Sequence, residues 1–198
     1  MKKGVYRLAF LTGNEHKVQE ANQILSGQNI ELYRISGYKQ EIQSDNIEDI
    51  AKHAAVQAYK KLKIPLVVED SGLFIPSLNG FPGPYSSFVY KTIGLNGIIE
   101  LLEKKRPEQR KAYFKAALAC ICPPYIRVFT GIVHGKIADK PKGGKGFGFD
   151  PIFIPDKFSS TFAELGEEIK NQVSHRARAF KSMATWLHET GLINIRQG

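Results

Sequence analysis

The run Lys111 to Ile121 (KAYFKAALACI), the pair Pro123-Pro124, and the run Ile126 to Ala138 (IRVFTGIVHGKIA) decide the fold class of this chain. Both runs are long, apolar and rich in residues that suit a pleated strand. A proline pair cannot donate to a β-ladder, so the two runs read as an antiparallel hairpin. Upstream the pattern differs. Val5 to Leu11 is a short apolar strand, and Glu15 to Leu25 places Val18, Ala21, Ile24 and Leu25 at helical spacing, with Asn14 set as N-cap. Ile30 to Ile35 alternates as a strand, Asn46 to Leu62 is a second helix, and Ile64 to Val68 is a buried strand ending in Glu69 and Asp70. A Gly- and Pro-rich loop spans Ser71 to Ser87, and a short helix is expected over Ile98 to Lys104. After the hairpin, Asp139 to Gly148 is a basic glycine loop and Ser174 to Leu187 an amphipathic helix. Strand–helix alternation calls for parallel strands, and the hairpin adds antiparallel ones. The expectation is an α/β protein: a mixed central sheet with helices on both faces and two lobes flanking a cleft.

With 198 residues the chain can bury one core, and a single domain over 1–198 is expected. Its 42% hydrophobic and 24% charged content is that of a globular protein and excludes a disordered one. Lys and Arg outnumber Asp and Glu by 28 to 19, a net +9 that favours polyanionic partners without choosing among nucleic acid, a membrane surface and a phosphorylated small molecule. No apolar run is long enough to span a bilayer, and a cytoplasmic protein is expected. Cys120 and Cys122 fall on one face of a strand. Without further Cys or a His pair they make no zinc site and read as buried, reduced thiols.

Chemistry concentrates at four places. The turn Thr12-Gly13-Asn14 hands a strand to a helix, where backbone N–H groups favour a phosphate, and Lys17 on the first turn can reach the same anion. It has one glycine and matches neither a Walker loop nor a dinucleotide fingerprint. Glu69 and Asp70, leading into Ser71, stand where open α/β sheets place ligands, and Asp70 can hold a metal or activate water. Glu41 is a further candidate metal ligand, since Mg²⁺ takes hard oxygens from one or two carboxylates and from substrate phosphates. The glycine turn Gly146-Phe147-Gly148-Phe149-Asp150-Pro151 carries two aromatics and a carboxylate suited to a flat heterocycle. About one helix later, Lys170, Ser174, His175 and Arg176 offer donors to oxygens and phosphates. For each there is a plainer alternative: a capped surface helix, acids that cap or salt-bridge, core aromatics on a turn, a solvated basic helix face.

Taken together, these segments resemble the inosine triphosphate pyrophosphatase family, also called the Ham1 or non-canonical purine nucleoside triphosphatase family. The resemblance rests on Thr12-Gly13-Asn14 with Lys17, Glu69 to Leu73, Gly80 to Ser86, Gly146 to Pro151, and Ser174-His175-Arg176 preceded by Lys170, in that order across nearly the whole chain. It implies hydrolysis of inosine, deoxyinosine and xanthosine triphosphates to monophosphate and pyrophosphate, a Mg²⁺ requirement, and a homodimer of two-lobed α/β subunits. By the same resemblance, Lys17 and Lys52 would bind phosphates and Asp70 and Glu41 would hold metal. Phe147, Gly148, Phe149 and Asp150 would hold the base, with Lys170, Ser174, His175 and Arg176 closing the base and phosphate contacts. Ser87 and Phe88 stand where many bacterial members read Ala-Arg, a departure that removes any arginine contact from that loop. Two other readings compete. One is a single-stranded nucleic-acid-binding protein using the net charge and the Lys145 to Phe149 segment; the other is a related enzyme of the same fold acting on other modified nucleotides.

Overall fold

The computed structural model describes residues 5–37, 40 and 42–193. Strand β1 (Tyr6–Leu11) leads through helix α1 (Glu15–Ile24) to β2 (Ile30–Ile35), and helix α2 (Ile47–Leu62) leads on to β3 (Leu66–Phe74). Asn14 and Asn46 cap the two helices, their side-chain oxygens accepting from the N–H groups of His16 and Glu48 at 3.0 and 3.1 Å. β1 pairs in parallel with β2 on one side and β3 on the other. The first crossover therefore runs outward and the second runs back, and since both are right-handed by rule, α1 and α2 fall on opposite faces of the sheet.

The hairpin is β5 (Lys111–Cys122) and β6 (Tyr125–Ile137), paired antiparallel along its whole length; β5 also pairs antiparallel with β3. Among the described residues the sheet order is β2-β1-β3-β5-β6-β7, with the two-residue strand β4 (Pro82–Gly83) on the far end of β3 and β7 (Phe153–Pro155) on β6. Helices α3 (Ser86–Thr92) and α4 (Gly94–Leu101) follow β4, while α5 (Phe162–Val173) and α6 (His175–Glu189) follow β7. The fold class is the one expected, a mixed α/β sheet covered on both faces.

Three cores divide the described residues. α1 and α6 cover one face of the sheet through Phe10, Val67, Leu118 and Phe180, and α2 covers the other through Leu11, Val68 and Ala119. A third core, with Leu73, Ile98, Phe114, Phe149 and Phe162, belongs to the far end of the β3–β5–β6 strands and forms the second lobe. Cys120 and Cys122 are buried and reduced, as expected.

Several boundaries differ from expectation. β3 does not stop at Val68 but continues through Glu69, Asp70, Ser71 and Gly72 to Phe74, because each of these residues pairs with the long partner strand β5. The short helix over Ile98 to Lys104 begins earlier, at Gly94, and ends at Leu101. α5 was not expected; Gly166, at φ 81°, breaks its periodicity.

Candidate functional site

Where the two lobes meet, a cavity of about 960 Å³ opens. Thr12, Gly13, Asn14 and Lys17 line it from the β1–α1 turn, and Asp70 and Ser71 from β3. Phe147, Gly148, Phe149 and Asp150 enter from the glycine turn, and Lys170, His175 and Arg176 from α5 and α6. Sequence positions more than 150 residues apart by number are thus brought to one place, between the phosphate-type turn and the aromatic turn.

Two expected residues are not among the described residues that line it. Lys52 stands on an exposed flank of α2, and Ser174 is fully buried with its hydroxyl accepting from the Ala177 N–H at 3.1 Å as the cap of α6. Glu41 lies outside the described residues.

The basic residues are not a solvated face. Arg176 is 1% exposed and its guanidinium is divided between two carboxylates. Nε and Nη2 donate to Glu69 Oε2 and Oε1 at 2.9 and 2.6 Å, and Nη1 donates to Glu20 Oε2 at 2.7 Å. Lys170 Nζ donates to Asp150 Oδ2 at 2.8 Å and lies 3.5 Å from Glu20 Oε2; Lys17 Nζ lies 3.6 Å from Glu69. Three cations thus balance three carboxylates inside the protein, so Lys170 and Arg176 serve first to order the wall of the cavity. Glu20 joins the two ion pairs, and it was missed in the sequence. Its signal was there: it sits three residues after Lys17 and four before Ile24, on the buried stripe of α1.

Glu69 and Asp70 part company. Strand alternation puts Glu69 with Val67 on the α1–α6 face, where it meets Arg176, and Asp70 with Val68 on the α2 face. Burial alone would raise the Glu69 carboxyl. Arg176 and Lys17 outweigh burial and hold it far below the usual carboxylate range. Glu69 is therefore a structural anion, and Asp70, which is half-buried, is the carboxylate of the pair suited to chemistry.

Local backbone holds the aromatic turn. Gly146 sits at φ 79°, and a Cβ there would run into the Asp150 carboxylate, which accepts from the Phe147 N–H at 2.8 Å. Burial raises the Asp150 carboxyl above its ordinary value despite the opposing charge of Lys170. The Phe147 ring lies 4.4 Å from Lys170 Nζ and 5.5 Å from the Arg176 guanidinium carbon, within cation–π range of both. His175 is placed by the packing of α6 on β6, where a Cβ on Gly131 would collide with the His175 carbonyl. Its imidazole stacks on Phe114 at 4.8 Å, and its Nδ1 has no hydrogen-bond partner among the described residues. Burial, reinforced by Arg176, pushes His175 well below its usual value, so the ring is neutral at pH 7. From the second lobe, Ser86, Ser87, Tyr90 and Lys91 of α3 also line the cavity; the sequence places the first two in a loop and assigns a site role to none of the four.

Residues 8–186 match the Ham1 family. The chain belongs to it. It is 48% identical over 180 residues to a dITP/XTP pyrophosphatase of Hyperthermus butylicus, covering 91% of this chain and 94% of that one. A dITP/XTP pyrophosphatase of Saccharolobus solfataricus is 49% identical over 187 residues, covering 94% and 96%. The structure is similar to that of a HAM1 protein from Coxiella burnetii, with a TM-score of 0.79 at 29% identity over 93% of this chain and 99% of the other. The family match spans β1 to α6 and so includes every described segment that lines the cavity.

Proposed function

We infer that this Ham1-family chain hydrolyses non-canonical purine nucleoside triphosphates (ITP, dITP and XTP) to the monophosphate and pyrophosphate, removing them from the nucleotide pool. The observation that carries the reading is the single cavity that has a phosphate-type turn with Lys17 and Asp70 in one part and Phe147 with ordered donors in another. Close relatives bearing the name dITP/XTP pyrophosphatase support it.

In this reading the triphosphate lies against the N–H groups at the start of α1, and Lys17 offsets part of its charge. Asp70 orients the attacking water or takes its proton, so the bond between the α-phosphorus and the bridging oxygen breaks and pyrophosphate leaves without a covalent enzyme intermediate. The purine stacks on Phe147. Arg176 commits one N–H on each of its three nitrogens to Glu20 and Glu69, so the base edge is read by Lys170, by the neutral His175, by backbone groups of the turn and by the second N–H that each Nη of Arg176 keeps.

The donors present fit Mg²⁺. Among the described residues no group of three or more His, Cys, Asp or Glu could cage a metal, and Glu69 is committed to Arg176. Asp70 with substrate phosphates and water is, however, the donor set that Mg²⁺ usually takes. Asp70, with Glu41, would hold the ion, which when bound would neutralise phosphate charge and polarise the reacting phosphoryl group.

A homodimer is part of this proposal. Phe81, Tyr85, Phe88 and Ile93 form an exposed apolar group around α3, with Phe88 67% exposed. No helix among the described residues is long and apolar enough to cross a membrane, and we place the enzyme in the cytoplasm, with the nucleotide pool it would act on. Nucleic acid is not proposed as a partner, since Lys170 and Arg176 are buried in ion pairs. The test is a panel of nucleoside triphosphates with Mg²⁺, with pyrophosphate and orthophosphate both quantified. Pyrophosphate from dITP and XTP is expected; orthophosphate alone would move the site of attack and overturn the mechanism.

A further inference from the structure

The imidazole of His16 lies against Phe147, ring centroids 5.7 Å apart and planes inclined by 19°, in a stacked arrangement. The two residues are 131 positions apart in the chain. His16 is on the first turn of α1, beside the phosphate-type turn, and Phe147 is on the glycine turn proposed to hold the base. Both line the cavity. Parallel aromatic rings at this separation are in contact, and a third flat ring cannot enter between them unless they part.

His16 is free to part. Its side chain is exposed, whereas its backbone N–H is pinned by the Asn14 side chain at 3.0 Å. A rotation about its side-chain bonds would therefore uncover Phe147 while leaving α1 and the phosphate-type turn in place. Phe147 has no such freedom: its N–H is tied to Asp150, and the buried Lys170 and Arg176 stand within cation–π distance of its ring.

We propose that His16 is a gate on the base subsite: its ring covers Phe147 in the ligand-free enzyme and must swing away before the purine can stack there. The inference rests on the proposed function, with Phe147 as the stacking surface. Every incoming base must give up the same His16–Phe147 contact. The gate therefore weakens the binding of all nucleotides by a common factor and does not choose among them.

Two measurements test it. Removing the ring with His16→Ala should tighten binding of deoxyinosine monophosphate, and lower the KM for dITP, by on the order of two- to tenfold, the worth of one aromatic pair. The turnover number should stay unchanged, and XTP should gain by the same factor as dITP. His16→Trp, which offers a larger ring to Phe147, should weaken both. In proton NMR, the His16 ring resonances, assigned by their loss in His16→Ala, should be displaced by the Phe147 ring current in the free protein. They should move toward ordinary values on saturation with deoxyinosine monophosphate. Weaker or unchanged nucleotide binding by His16→Ala, or His16 resonances that stay displaced at saturation, would overturn the gate while leaving the hydrolytic function standing. If the unaltered protein neither binds deoxyinosine monophosphate nor releases pyrophosphate from dITP, function and gate fall together.

Discussion

Arg176 grips Glu69 through two parallel hydrogen bonds, at 2.9 and 2.6 Å, with both side chains shut away from solvent. The pair links α6 to the middle of β3 and, through Glu20, to α1. The elements that wall the cavity are thereby fixed to one another by charge. Burial opposes the Arg176 charge, but Glu20 and Glu69 overcome it and raise its pKa above the usual guanidinium value. Removing one partner of such a pair leaves uncompensated buried charge, which typically costs about 3–5 kcal/mol. Arg176→Leu should therefore lower the urea midpoint by a corresponding amount at constant m-value. A variant as stable as the parent would show that the triad does not hold the lobe in place.

How much of this was legible in the sequence depended on distance along the chain. The β1–α1 turn, the Asn14 cap and the β5–β6 hairpin are local, and they read correctly from spacing and turn residues. The continuation of β3 through Glu69 and Asp70 is not local: it exists because β5 lies beside it, and it is what sends the two carboxylates to opposite faces. In the same way, Arg176 reads as a free basic residue until the fold brings Glu20 and Glu69 to it from 156 and 107 positions away. For α5 a signal did exist. Thr161 and Glu164 form a capping box, with Glu164 Oε2 accepting from the Thr161 N–H at 2.8 Å, but Gly166 masks the helix that follows.

His175 makes stability depend on pH in a window of its own. Its folded pKa is depressed by burial, so below about 6.5 the unfolded chain takes up a proton that the folded protein refuses, and stability falls as pH falls. The slope is at most about 1.4 kcal/mol per pH unit for one proton. Glu69, depressed by its cations, loses its contribution only below its ordinary value of 4.5, and Asp150, raised by burial, acts with opposite sign above 3.8. Between pH 6.5 and 5, His175→Phe, which keeps a ring against Phe114, should flatten the dependence of the urea midpoint on pH. An unchanged slope would mean that His175 is protonated in the folded state.

Asp70 and Lys17 should fail differently. If Asp70 acts on the attacking water or the metal, its work lies in the transition state, and Asp70→Asn should lower kcat by about 10²–10⁴ with little change in KM. Lys17 offsets phosphate charge in ground and transition states alike, so Lys17→Ala should mainly raise KM. Steady-state pyrophosphate release from dITP over a range of substrate concentrations separates the two. Near-normal turnover in Asp70→Asn would remove Asp70 from the chemistry.

Base preference follows from what is left to donate in the wall of the cavity. Hypoxanthine and xanthine present a 6-oxo acceptor, and adenine presents an amino donor at the same place. Lys170 can only donate, and backbone N–H groups of the turn around Phe147 do the same. An oxo group satisfies such donors, whereas an amino group leaves them unpaired and facing another donor, at a cost of on the order of 1–3 kcal/mol per lost bond. Arg176 can add the second N–H of each Nη to this reading, whereas Ser174, fully buried at the α6 cap, is not among the residues that line the cavity. Guanine keeps the 6-oxo group, so its exclusion falls to the 2-amino group and the fit around Phe147. The expected order of kcat/KM is therefore ITP and XTP above GTP, with ATP and CTP poorest, and Phe147→Ala weakens all purine substrates by removing a stacking surface. Initial rates of pyrophosphate release under matched Mg²⁺ and pH give this order directly. Hydrolysis of ATP as efficient as that of ITP would mean that no donor in this cavity reads position 6 of the base.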